Sequence, residues 1–456
     1  MLKIFNTLSN KKEVFKTDSN LVKIYGCGPT VYDHPHIGNF RTFIFYDLLI
    51  RTLHLNNYDT QSAINITDID DKIISRSIAE KKNMKDITLK YEKSFIDASR
   101  KLKILKNEFY PRATDHVEDM IAFIQKLVDK NYAYVVNGNV YFDIKNYSNY
   151  GKFVNLKTLD DDIENDLDKK NKNDFALWKA WKNEDGNIFW ESAWGKGRPA
   201  WHTECAVISQ KILGNKIDIH CGGIDLKFPH HENECAQIES ITNKNFANYW
   251  LHSEHLNIED EKMSKSLGNS LSIEDMLKKY SSNIIRMFLL SSHYRSKISL
   301  SKSKLEESKK MFNRISRFAE KFSINEFDFT KNDLSDKHQS FIDAINDDLN
   351  TPKALGIFFE FISDTNKALT KRKDLKKINQ ESIIFLNLFN SIFQVVDIQN
   401  SDDKVFPQEI NELLLSRQQA RDNKDWILSD KIRDKLFNLG WIVEDSLDGQ
   451  KLLKKK

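Results

Sequence analysis

Residues 21–28 read Leu-Val-Lys-Ile-Tyr-Gly-Cys-Gly, a short apolar run that stops at glycines and predicts a buried strand. After Pro35 the period changes, and Phe40, Phe43, Ile44, Leu48 and Ile50 recur at helical spacing. A second strand is predicted from Thr60 to Ile66, followed by a helix opening at the polar group Asp68, Asp70 and Asp71. Strand, loop, helix and strand in this order predict a parallel βαβ unit. The order returns near the middle of the chain. Residues 216–223 form a strand ending in Gly222-Gly223, a helix begins around His230, and a strand runs from Tyr249 to Ile258. This predicts the second half of a doubly wound sheet.

Between the halves lies a stretch of mixed character, with an acidic run at Asp160, Asp161 and Asp162 and a lysine-rich patch. Beyond residue 300 the pattern is helical, with amphipathic segments at Ser301–Phe322 and Asn379–Val396. A helix around Ser429–Leu439 and a hairpin after Gly440 close the chain. The expected fold class is therefore α/β: a Rossmann-type doubly wound parallel sheet with an inserted connective domain, then an α-helical bundle and a small C-terminal segment. The divisions fall at 1–115 and 201–255 for the sheet halves, 116–200 for the insertion, 256–310 for a loop region, 311–398 for the bundle and 399–456 for the last segment.

Composition narrows the class of protein. Of 456 residues, 40% are hydrophobic and 30% charged, with 29 Phe to fill cores, which excludes a chain disordered throughout. The net charge of +3 permits a nucleic-acid partner without indicating one. The most apolar stretch, Ile383–Val396, is interrupted by Asn387, Asn390, Ser391 and Gln394, so no membrane span is expected. Met1–Asn6 has no apolar leader pattern, and a cytoplasmic location is expected. Four cysteines are too few for a disulfide framework and are available for metal.

Three groups of residues carry candidate chemistry. His36-Ile37-Gly38-Asn39 stands where a loop turns into a helix, so free backbone N–H groups and the helix dipole can hold an anion, and Gly38 allows close approach of a nucleotide. By itself the tetrapeptide is weak and reads more simply as a helix cap with a surface histidine. Lys262-Met263-Ser264-Lys265-Ser266 places two lysines three apart before Gly268-Asn269, suited to neutralising a transferring phosphate or, alone, to an ordinary solvated turn. Cys27, Cys205, His230 and Glu234 have the donor chemistry of tetrahedral zinc. His230 and Glu234 are one helical turn apart, but Cys27 and Cys205 are distant in sequence and no CxxC pair exists, so two unrelated buried cysteines remain an alternative. Cys221 and Cys235 compete as ligands and read more simply as small buried hydrophobes.

The first two motifs resemble the HIGH and KMSKS signatures of class I aminoacyl-tRNA synthetases, at the two ends of the expected sheet. Longer runs are similar to the cysteinyl-tRNA synthetase family: 25–32, 65–74, 194–199, 201–205, 228–234, the Asp-Asp-Leu-Asn-Thr-Pro of 347–352, and the segment from Ser429 through Trp441. The resemblance spans nearly the whole chain in the family's order. It implies that Mg2+-bound ATP and L-cysteine give cysteinyl-adenylate, and that the cysteinyl group passes to the 3′-terminal adenosine of tRNA(Cys). It also implies that Cys27, Cys205, His230 and Glu234 hold one Zn2+, which takes the substrate thiolate. His36, Gly38 and Asn39 would contact ATP, Lys262 and Lys265 its phosphates, and Thr67, Trp201 and Asp225 the amino acid. Of these, His36, Asn39, Lys262 and Lys265 carry the catalytic expectation. The helical bundle and last segment would face the anticodon side of the tRNA, and a monomer is expected.

Two departures are present. Asn39 replaces the second histidine of the first motif, and no tryptophan follows Asp448-Gly449. Three other functions share parts of this pattern. A ligase joining cysteine to an amino sugar would not need the C-terminal regions, and an inactive RNA-binding paralogue would not need Lys262, Lys265 and four intact zinc-type residues. A zinc hydrolase calls for HEXXH spacing, which His230-His231-Glu232-Asn233-Glu234 does not have.

Overall fold

The computed structural model describes residues 1–154, 168–258, 261–262, 271–322, 334–371, 374–396, 408–423, 425–446 and 449–454. The chain divides into two compact units, the first running to residue 397 and the second formed mainly by 398–456.

The first unit opens with the antiparallel pair β1 (Lys3–Asn6) and β2 (Lys11–Val14). The expected βαβ unit follows as β3 (Leu21–Gly26), α1 (Ile37–Leu55) and β4 (Asp59–Ile64), then α2 (Asp71–Glu80) and α3 (Met84–Lys101). The insertion carries α4 (Val117–Asp129) and an antiparallel sheet of β5 (Ala133–Val136), β6 (Asn139–Phe142), β7 (Phe175–Ala180) and β8 (Gly197–Pro199). The second half of the sheet is built by α5 (Trp201–Leu213), β9 (Ile217–Gly223), α6 (Glu232–Thr242) and β10 (Ala247–Ser253). The acidic run at 160–162 lies outside the described residues.

The central sheet has the order β10-β9-β3-β4, parallel throughout. Strand β3 crosses by way of α1 to β4 on one side, whereas β9 crosses by way of α6 to β10 on the other. The strand order therefore reverses between β3 and β9, and a crevice opens at their carboxyl ends, where doubly wound sheets bind ligands. Cys27 follows β3 at that point, its N–H donating to the Cys221 carbonyl at 3.2 Å.

Two boundaries differ from expectation. The strand expected over Tyr249–Ile258 is two, β10 and then β11 (Leu256–Ile258), which pairs with β12 (Glu261–Lys262) and β13 (Ile298–Leu300) in a separate sheet. The chain leaves the central sheet because the Glu254 N–H donates to the Tyr294 carbonyl at 2.8 Å rather than to a sheet neighbour. The helix expected around His230 begins at Glu232, after an irregular turn over Lys227–His231. Phe228 there is extended (φ −143°, ψ 134°), which a helix does not admit, and Pro229 supplies no N–H.

Helices α7 (Ile273–Lys279), α8 (Ser282–Leu290), α9 (Lys302–Ala319), α10 (Asp336–Asn346), α11 (Thr351–Thr370) and α12 (Leu375–Phe393) complete the unit. Serine or asparagine N-caps open α7, α8, α9 and α11, each side chain accepting a backbone N–H. A buried charge cluster ties α12 to the sheet domain. Arg286 donates to Asp47 on α1 at 2.7 Å, to the Leu102 carbonyl at 2.8 Å and to the Phe393 carbonyl at 2.9 Å. In the second unit, α13 (Gln408–Asp422) and α14 (Trp426–Asn438) pack with the hairpin of β14 (Trp441–Ser446) and β15 (Gly449–Lys454) around Ile410, Ile432, Leu436 and Leu452. Among the described residues no helix is long and apolar enough to cross a membrane.

Candidate active site and metal centre

A cavity of about 460 Å³ occupies the crevice at the strand ends. Cys27, His36, Gly38, Asn39, Trp201 and Asp225 line it, with Gly28, Thr30, Tyr32, Lys72, Gly223 and His255 among their neighbours.

The nucleotide end is built on the first turn of α1. His36 is the N-cap, its Nδ1 accepting from the Asn39 N–H at 3.3 Å, while Asn39 Oδ1 accepts from the His36 N–H at 3.1 Å. This reciprocal capping box gives Asn39 a local role that a histidine does not fill in the same way, and it commits the amide oxygen to the backbone. Pro35 and Ile37 also pair with Leu271 and Ile273, so the residues just after the lysine motif meet the start of α1. Lys262 lies on β12, and Lys265 lies outside the described residues.

Cys27, which lines the cavity, groups with Cys205, His230 and Glu234 to offer four ligand atoms within 4.8 Å of one another, all four residues being buried. The segment after β3, helix α5, the Lys227–His231 turn and helix α6 supply one donor each. His230 Nε2 lies 3.1 Å from Glu234 Oε1, yet it is buried and makes no hydrogen bond. Its other nitrogen is held by His202 Nδ1 at 2.8 Å. A buried imidazole nitrogen without a hydrogen bond, facing two thiols and a carboxylate, is what a zinc ligand set presents in the absence of its ion.

A second set, Cys27, His220, His231 and Glu234, meets the same distance limit and shares two members with the first. Three of its four imidazole nitrogens have partners and the fourth, His220 Nδ1, is buried without one. His220 Nε2 is 2.8 Å from Glu234 Oε2, His231 Nε2 is 3.3 Å from Cys27 Sγ, and His231 Nδ1 is 2.8 Å from His252 Nε2. The nitrogen beside the carboxylate is thus already bonded in the second set and unbonded in the first, which favours the first, with His220 orienting the carboxylate from behind.

The electrostatics agree. Burial raises the Cys205 thiol, but a hydrogen bond from Cys27 and the neighbouring His230 outweigh it and bring it down to about 6. Burial holds the Cys27 thiol well above its ordinary value. Burial lowers His230, but Cys205 and Glu234 overcome this and raise it to about 10. Desolvation and the surrounding imidazoles keep His231 neutral. Cys221 and Cys235 are buried outside both sets, in keeping with their reading as small hydrophobes.

Among the amino-acid candidates, Trp201 is 40% exposed in the cavity and its ring lies 4.2 Å from that of His230. Asp225 is also exposed, and His255 Nδ1 lies 4.0 Å from its carboxylate. Thr67 is different. It is buried and does not line the cavity, its hydroxyl accepting from Asn65 Nδ2 at 3.0 Å and hydrogen-bonding Glu204. Asn65, His202, His220, His231 and His252 were not singled out from the sequence. Their only signal was proximity to candidate motifs, since a buried histidine or asparagine reads the same whether or not it serves a site.

The four-stranded parallel sheet, the crossover helices and the helical domain define the fold of a class I aminoacyl-tRNA synthetase. Solved structures share it: methionyl-tRNA synthetase of Mycobacterium tuberculosis with methionyl-adenylate (TM-score 0.59, 13% identity, 82% of this chain and 92% of that one) and a putative arginyl-tRNA synthetase of Campylobacter jejuni (0.56, 12%, 85% and 95%). Residues 13–310 match the class I (C) tRNA synthetase catalytic domain, 340–394 the DALR domain and 403–451 the cysteinyl-tRNA ligase anticodon-binding domain. Cysteine–tRNA ligases of Chlamydia felis and Clostridioides difficile are 39% and 40% identical to it over 467 aligned positions, covering 99% of this chain and 98% and 99% of theirs. The chain belongs to the cysteinyl-tRNA synthetase family, the cysteine–tRNA ligases.

Proposed function

We propose that the chain activates L-cysteine with Mg2+-bound ATP and transfers it to the 3′-terminal adenosine of tRNA(Cys), selecting cysteine through its thiolate. The observation that carries this reading is one cavity lined both by the first turn of α1 and by Cys27, a member of the buried thiol–imidazole–carboxylate set. His36, Gly38 and Asn39 bind ATP, the dipole of α1 favouring its phosphates. Asn39 keeps its amide N–H groups for the nucleotide, because the oxygen is occupied by the backbone. Lys262 and Lys265 neutralise charge on the phosphates as the α-phosphorus is attacked by the cysteine carboxylate and pyrophosphate leaves.

Cys27, Cys205, His230 and Glu234 hold zinc. When bound, zinc supplies a soft coordination position that takes a thiolate far more readily than an alcohol. Serine is nearly isosteric with cysteine, and a pocket that senses shape alone separates such pairs by about 10²-fold or less. Trp201 and Asp225 hold the amino acid from the cavity wall and Thr67 from the layer behind it. The adenylate phosphate accepts the proton in the transfer step, so no side chain is assigned as general base. The match to an anticodon-binding domain at 403–451 supports tRNA as acceptor over a small amino sugar.

The test is charging of bulk bacterial tRNA with labelled cysteine beside labelled serine. ATP-dependent, acid-precipitable cysteine with no serine is expected. Serine charged at a comparable rate would overturn thiolate selection, and absence of cysteine charging would overturn the reading as a whole.

A further inference from the structure

Asn65 follows β4 and is fully buried. Its Oδ1 accepts from the Gly28 N–H at 2.8 Å and lies 3.6 Å from Cys205 Sγ. Its Nδ2 donates to Thr67 Oγ1 at 3.0 Å. The backbone N–H of Gly28 can only donate, so the orientation of the amide is fixed: oxygen toward Gly28, nitrogen toward Thr67. One side chain thus holds the peptide bond just after Cys27, touches the second cysteine of the zinc set, and reaches a hydroxyl assigned to the amino-acid pocket. These three partners come from the end of β3, α5 and the end of β4.

We infer that Asn65 is a positioning residue for cysteine selection: it fixes Cys27, Cys205 and Thr67 relative to one another, so that the metal donors and the amino-acid pocket keep one spacing. The inference rests on the zinc-thiolate reading above and adds a residue to it. Loss of the amide leaves the half-buried Gly28 N–H without its protein acceptor and lets the Cys27 peptide rotate. Loss of the nitrogen alone frees the Thr67 hydroxyl while sparing Gly28. Two substitutions separate these effects. Asn65→Ala removes both interactions, and Asn65→Asp keeps an oxygen for Gly28 but removes the donor to Thr67.

The experiment uses the full chain loaded with zinc and reads three quantities: zinc release to a chromophoric chelator, the absorption spectrum of the cobalt-substituted protein, and KM for cysteine and for ATP in pyrophosphate exchange. Asn65→Ala is expected to weaken metal retention about 10- to 100-fold, the range found when residues behind metal ligands are removed. Its cobalt thiolate bands should shift, and its cysteine KM should rise about tenfold or more while the ATP KM stays within about twofold, as loss of a buried hydrogen-bond partner predicts for one ligand only. Asn65→Asp is expected to hold metal more tightly than Asn65→Ala, yet to share the raised cysteine KM. Should Asn65→Ala fail to fold, the KM ratio and cobalt spectrum of Asn65→Asp decide the matter. Variants in which cysteine and ATP constants move together, with chelator release and cobalt spectrum as in the wild type, overturn the inference. Absence of zinc from the wild-type protein overturns the underlying reading instead, so the two failures are distinct.

Discussion

Cys205→Ala is expected to lose zinc and with it most of the enzyme's hold on cysteine. The substitution takes one thiolate from a set whose other members, Cys27, His230 and Glu234, leave only three donors. Removing residues that merely support a ligand costs about 10–100-fold in affinity, so removing a ligand should cost at least about 100-fold. Cysteine KM in pyrophosphate exchange should rise by a similar factor, while ATP KM stays within about threefold because His36, Gly38 and Asn39 line the cavity and are not members of the donor set. The metal could be rescued only by His220 and His231, and that requires breaking their 2.8 Å contacts with Glu234 and His252. Elemental analysis beside kinetics checks this. A full equivalent of zinc with wild-type cysteine KM excludes Cys205 as a ligand. A full equivalent with a raised KM places the ion on the set containing His220 and His231.

That Cys27, Cys205, His230 and Glu234 come together was legible mainly through the family resemblance, since local spacing gives only His230 and Glu234 a turn apart and leaves the two cysteines distant in sequence. The parallel sheet was legible from the residue pattern: strands buried on both faces read as short apolar runs that end in glycine. The structure adds a reason why the glycines are there. A Cβ on Gly26 would meet the Tyr46 ring at 2.6 Å, and one on Gly222 would meet the His231 ring at 2.4 Å. What surrounds the donors was not legible. His220, His231 and His252 lie on three separate elements and meet only after β9 and β10 pair with the rest of the sheet. Nothing in local spacing marks them, since their partners, Glu234 for His220 and one another for His231 and His252, are set by the tertiary fold. Thr67 is a similar case. Its place in a motif does not reveal that its hydroxyl bonds Asn65 and Glu204. The capping role of Asn39 is likewise a property of backbone geometry, since it depends on the extended conformation of His36 (φ −96°, ψ 164°).

Gly28→Ala should damage the centre from the backbone side. A Cβ there would lie 1.6 Å from the Asn65 carbonyl oxygen and 2.9 Å from Ile64 Cγ2. No rotamer change relieves the first contact, because the obstacle is main chain at the end of β4. The ends of β3 and β4 must part, and this breaks the Gly28 N–H bond to Asn65 and strains the Thr67 N–H bond to the Pro29 carbonyl at 3.1 Å. Overpacking a core usually costs about 1–3 kcal/mol, and a backbone obstacle should place this variant at or above the top of that range. Because Cys27 is the adjacent residue, the same displacement moves a metal donor, so zinc content should fall together with the urea midpoint. A serine or alanine at this position that kept both the midpoint and one zinc per chain would mean that the β3 and β4 ends can separate without moving Cys27. The rigid link between Gly28, Asn65 and the thiol set would then be broken as an explanation. If both fall while Asn65→Asp keeps its fold, the glycine and the amide make separable contributions: the first sets how closely the strand ends approach, and the second sets how the groups at those ends are turned.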